Sequence, residues 1–154
     1  MGAVPFQLAM GAAQYSAQGK IGKYNQAINE RNALTLESQA DQIEKKAEFD
    51  IAQFEKNFIK IEGQTKVALA KSGVVMDSGS AYNIQLSNAY EAQLQKELIE
   101  YNSKVAVANK MEEANFARIS GQMARNQAKL AQIQTVAQTG SNIYSMMNKP
   151  KGVA

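Results

Sequence analysis

Apolar residues recur along this chain every three or four positions, and the pattern breaks once. The first stripe runs Ala33, Leu36, Ala40, Ile43, Ala47, Ile51, Phe54, Phe58, Ile61, Thr65, Ala68. Steps of three and four put such residues on one helix face, and the extra four-step at Ala47 is a stutter in a heptad-like seam. A second stripe runs Leu94, Leu98, Tyr101, Val105, Ala108, Glu112, Phe116, Ile119, Met123, Asn126, Leu130, Ile133, Ala137, Gly140, Tyr144, Met147. Both read as helix-packing seams rather than cofactor grooves. No stretch alternates apolar and polar residues as a half-buried strand does. The two prolines, Pro5 and Pro150, stand near the ends. Proline inside a helix costs about 3 kcal/mol, so a proline-free interior permits very long helices. The expected class is all-α.

The break reads LAKSGVVMDSGSA, residues 69 to 81. Gly73 is suited to end the first helix in a left-handed conformation. Asp77, Ser78 or Ser80 can cap the second by accepting a hydrogen bond from a free backbone N–H. Ser72 and Gly79 complete the hinge, and Val74, Val75 and Met76 form its apolar tip. A phosphate-cradling loop is not expected, because no strand precedes the break and no lysine follows its second glycine. The pattern predicts an αα-hairpin hinged near residues 72–80. The competing shape is one nearly continuous rod with a kink. As a single elongated domain, 1–154, it divides into a small-residue segment at 1–23, helix at 24–71, hinge at 72–78, helix at 79–147 and tail at 148–154. Folding near residue 75 brings position i close to position 150 − i.

Charge follows the same symmetry. Residues 30–113 carry 10 Lys and Arg against 14 Asp and Glu. Residues 1–29 hold Lys20 and Lys23 without an acid, and residues 114–154 hold Arg118, Arg125, Lys129, Lys149 and Lys151 without an acid. Residues 1–19 and 130–148 have no charged side chain at all. Each could extend about 28 Å as a helix, near the thickness of a bilayer's hydrocarbon layer. Leu8, Met10, Gly11, Ile133, Gly140, Ile143 and Met146 are the candidate membrane or pore residues there. Gln7, Gln14, Gln18, Gln132, Gln134 and Gln138 would need polar partners or water. No window is apolar enough for an ordinary transmembrane helix, and no secretory signal is apparent. The rival reading is a protein-buried or flexible end of a structural rod. A two-helix hairpin with alanine-rich seams encloses little apolar area, so a multi-helix homo-oligomer is expected. Gly63 and Gly121 lie inside the helices and mark candidate close crossings or bends.

The hinge pattern of Ser72, Gly73, Val74 with Ser78, Gly79, Ser80, Ala81 carries a resemblance. With IEYN at 99–102 and ANFARISGQMARNQAKLA at 114–131, the chain resembles the small internal virion proteins of T-seven-type podoviruses, short-tailed phages that stack core proteins on the portal inside the capsid. The resemblance covers most of the chain and is sharpest at the hinge. It implies an ejection protein: a structural core component that leaves the virion, enters the host cell envelope and helps build a conduit for the genome. Implied partners are the other internal core proteins, the portal and the host envelope membrane. The implied locations are the virion interior and then that envelope. Many relatives have an arginine-rich first helix, whereas residues 30–62 here mix eight acids with five bases.

Three rival functions stand beside it. One is a helical adaptor of a portal or tail assembly that never meets lipid. Another is a nucleic-acid binder using Arg118, Arg125 and Lys129, with Tyr15, Phe116 and Tyr144 nearby. A net charge of +3 and no groove-reading motif limit that to non-specific DNA contact. The last is an enzyme. The chain has no Cys, His or Trp, which removes disulfides, Cys and His metal sites and histidine-assisted nucleophiles. Adjacent Glu112 and Glu113 point to different helix faces, and a thin hairpin has no pocket for paired carboxylates. No catalytic residue, metal or cofactor is expected.

Overall fold

The computed structural model describes residues 3–73 and 79–148, with side chains from Phe6 onward. Two helices account for nearly all of them: α1, Ala3–Lys71, and α2, Gly79–Met147, each of 69 residues. The expected separate segment at 1–23 is instead the first part of α1. Pro5 is tolerated there because the first-turn N–H groups of a helix have no intrahelical acceptor.

The hinge begins as the sequence suggests. Ser72 N–H donates to the carbonyls of Ala68 and Leu69 at 3.2 and 3.1 Å, and Gly73 N–H to that of Ala70 at 3.2 Å. The Ser72 hydroxyl adds a bond to the Leu69 carbonyl at 2.7 Å. These contacts tighten the last turn and satisfy carbonyls that a helix end leaves open. Gly73 then takes φ 75°, the left-handed region where a Cβ is penalised. Gly79 opens α2 with φ 63°. Ser80 lies beyond that boundary, inside α2, and so does not stand at a cap position. Asp77, Ser78 and the apolar tip at 74–76 lie outside the described residues.

The chain divides into two compact units. One takes Met1–Thr35 with Glu113–Ala154, the other Leu36–Glu112. We call them the end unit and the hinge unit. In each, a piece of α1 packs antiparallel to a piece of α2. In the end unit Gly11 faces Thr139, Gly22 faces Ala128 and Asn29 faces Gly121; each pair of numbers adds to 150. In the hinge unit Glu55 forms an ion pair with Lys96, one position from the same rule.

Within the hinge unit, α1 buries or half-buries Leu36, Ala40, Ile43, Ala47, Ile51, Phe54, Phe58, Glu62, Thr65 and Leu69. These are 33 residues in nine steps, about 3.7 per step, nearer the turn of a straight helix than a heptad's 3.5. The drift moves the seam off two expected positions: Ile61 is 56% exposed and Ala68 is exposed, while Glu62 and Leu69 take their places. Phe54 and Phe58 stack with centroids 6.4 Å apart.

The second expected stripe is not the face that α2 turns toward α1. Leu94, Leu98, Tyr101, Val105, Phe116, Ile119, Met123, Leu130 and Ile133 are all 43–64% exposed and face away from α1. The face that α2 turns inward carries Ala81, Asn88, Ala92, Ile99, Ser103, Ala106 in the hinge unit. In the end unit it carries Ala114, Ala117, Gly121, Ala124, Ala128, Thr135 and Thr139. Small side chains let two backbones approach closely, and in the hinge unit they leave room for the larger side chains of α1. Phe54 and Phe58 accordingly share the lining of one groove with Ala89 and Ala92. Among the described residues the buried hydrophobic side chains are alanines only, Ala33, Ala40, Ala81 and Ala114, and no large side chain is fully buried.

Candidate functional site

The end unit brings both uncharged segments together, and its seam is polar where its outside is apolar. Gln132 donates from Nε2 to the Tyr15 carbonyl at 2.8 Å. The Thr135 hydroxyl sits 3.1 Å from Gln18 Oε1 and 2.9 Å from the Ala131 carbonyl; its single proton serves one acceptor at a time. Thr139 donates to the Thr135 carbonyl at 2.7 Å. Such bonds to the preceding turn satisfy threonine inside a helix. Gln7 Oε1 is buried without a hydrogen-bond partner. The glutamines expected to need partners thus turn toward the seam in three cases, and two of them find partners there.

Outside that seam stand Phe6, Leu8, Met10, Ile133 and Val136, each about half exposed or more. Ile143 and Met146 are half-buried. A shallow groove of about 420 Å³ runs between the helices, lined by Leu8, Gly11, Ala12, Tyr15, Val136, Thr139, Gly140 and Ile143. The two glycines among the candidate membrane or pore residues, Gly11 and Gly140, meet different surroundings. A Cβ on Gly11 would meet Thr139 Oγ1 at 2.6 Å, whereas one on Gly140 would meet nothing within 4 Å. Gly121 is a true close crossing, since its Cβ would meet Asn29 Cβ at 3.0 Å, and Gly63 meets nothing within 4 Å. The structure therefore gathers Leu8, Gly11, Gly140 and Ile143 at one groove and leaves Met10 and Ile133 on the outer surface.

Next to the uncharged stretch the cations converge. Lys20 and Lys23 of α1 and Arg125 and Lys129 of α2 line a cleft of about 330 Å³ with Ser16, Gly19, Gly22, Ala128 and Gln132. No acid lines it. Arg125 is fixed by donating from Nη1 to Gln26 Oε1 at 3.0 Å. The acids resume one turn or two further along, where Arg118 Nε meets Glu30 Oε1 at 3.3 Å. The pairing of both basic ends follows from the mirror register. The cleft does not, because it also requires Gly19 and Gly22 to thin the wall of α1.

No described helix is long and apolar enough to cross a membrane. Among the described residues no group of three His, Cys, Asp or Glu could hold a metal ion. Chemically, the arrangement offers apolar surface, a few hydrogen bonds and a localised positive charge. The chain matches no protein-family model, no curated protein and no solved structure.

Proposed function

We propose that this chain is a non-catalytic structural subunit of a helical assembly: an internal core protein of a bacteriophage virion, ejected into the host envelope to help form the conduit for genome delivery. One observation carries the assembly part. Most of the large apolar side chains of α2 point outward, Leu94, Leu98, Tyr101, Phe116, Ile119 and Met123 among them, while alanine and other small residues recur along its inward face beside a few larger ones such as Ile99. Exposed apolar side chains at helical spacing fit further helices, from other copies or from partner core proteins and the portal. The virion and ejection parts rest on the resemblance at the hinge, and the uncharged end of the hairpin supports them. DNA contact in this reading is non-specific.

A purified sample tests the assembly and envelope parts through two measurements: particle mass by analytical ultracentrifugation, and release of a dye trapped in lipid vesicles. A multi-subunit particle that releases dye is the expected outcome. A monomer at all concentrations overturns the assembly. An assembly that never releases dye favours the second reading, a helical adaptor of a portal or tail that does not enter lipid. Gly140→Asp is the discriminating variant, because it adds a charge to the uncharged groove without meeting a neighbour. It should spare the particle mass and abolish release.

A further inference from the structure

We propose that the cleft formed by Lys20, Lys23, Arg125 and Lys129 is a binding site for the phosphate headgroups of anionic lipids, and that it anchors the uncharged end of the hairpin at a membrane surface. The inference deepens the envelope reading above and rests on it for the choice of lipid over other phosphates. Four cations from two helices face one cleft, with no acid in its lining. Their repulsion has no internal counterion there, so a bound anion relieves it. Ser16 and Gln132 add polar groups to the same lining, matching the acceptor oxygens of a phosphate. Gly19 and Gly22 let α1 come close to Gln132 and Ala128, where a Cβ would collide, and so bring the cations of the two helices to one cleft.

Position selects the ligand. Toward the chain ends from this cleft, the described residues of both helices carry no charge and expose Phe6, Leu8, Met10 and Ile133. On the other side, the acids begin at Glu30 and Glu113. Apolar surface, then cations, then mixed charge is the order an amphipathic segment needs when its apolar part enters the headgroup boundary and its cations meet phosphate. A nucleic-acid backbone would use the cations and leave the adjoining apolar surface unexplained.

The test uses the full chain in a flotation assay. It compares vesicles of phosphatidylcholine with vesicles that also contain phosphatidylglycerol, at low and high salt. Lys20→Gln/Lys23→Gln/Lys129→Gln is compared with Lys56→Gln/Lys60→Gln/Lys71→Gln. All six lysines are exposed, and circular dichroism checks that both variants stay helical. Arg125 is kept because it bonds Gln26. The expected result is salt-sensitive binding that requires phosphatidylglycerol. Each lysine lost from the cleft should weaken it about fivefold, since one cation near an anionic surface is worth about 1 kcal/mol. The control variant should bind like the parent. Equal binding to both vesicle types overturns the headgroup site and leaves the envelope reading standing. So does undiminished binding by the cleft variant. Binding to neither vesicle overturns both. Tighter salt-sensitive binding to duplex DNA, lost in the cleft variant alone, reassigns the cleft to nucleic acid and overturns the proposal.

Discussion

Gly22 and Gly63 lie in the same helix and meet different surroundings. A Cβ on Gly22 would collide with the Ala128 methyl and approach the Arg125 backbone at 3.6 Å, whereas a Cβ on Gly63 would meet open space. Alanine gains about 1 kcal/mol over glycine in a helix interior, and overpacking costs about 1–3 kcal/mol. Gly63→Ala should therefore raise the thermal midpoint and Gly22→Ala should lower it, read by circular dichroism at one fixed protein concentration. Gly73→Ala should also destabilise, by about 1 kcal/mol, because its φ of 75° disfavours any Cβ. Glu100 supplies a pH test. Its carboxyl is held below the usual glutamate range by the hydrogen bond from Lys104 and then by the lysine's charge, at 2.6 Å. A lowered folded-state value means this pair helps the helix at pH above the unfolded glutamate value, and the help fades as pH falls through the folded value. The Glu100 titration midpoint, followed by NMR, should sit below the ordinary glutamate value and return to it in Lys104→Met.

At the scale of elements, the two helices were unequally legible. The inward face of α1 in the hinge unit was readable because Leu36, Ile43, Ile51, Phe54 and Phe58 are both large and buried or half-buried, so size and position agree. In α2 they disagree. Leu94, Leu98, Tyr101 and Phe116 mark the conspicuous stripe, while Ala81, Ala92, Ala106 and Ala114 mark the inward one. Alanine is common enough in a helix-forming sequence to form several stripes at once, so only a partner helix can select one. Gly73 was readable for a different reason: a glycine at the end of a long helical pattern has a specific conformational use. The exposed stripe of α2 has its own test. Leu94→Gln/Leu98→Gln should reduce the particle mass in sedimentation while leaving helicity nearly unchanged, since neither side chain faces α1.

For the whole molecule, the sequence supplied the pairing and the structure supplied the division. The register of i with 150 − i holds within each unit, to within a residue or so. The division into an end unit and a hinge unit has no proline or glycine at Thr35 or Glu113; its nearest mark in the sequence is the charge shift, since acids begin at Glu30 and stop at Glu113. The candidate site was partly legible in the same way. The acid-free ends are a matter of counting charges, but the cleft depends on two glycines whose use appears only once Gln132 and Ala128 stand opposite them.

The inversion of large and small side chains on α2 also bears on which changes the protein can tolerate. In a water-soluble helix pair, replacements are accepted on the outside and rejected within. Here, in a scan of every position scored by assembly, serine should be accepted at inward alanines such as Ala124 and Ala131, whereas polar residues should be rejected at outward Ile119 and Met123. The map of permitted substitutions would then look turned inside out.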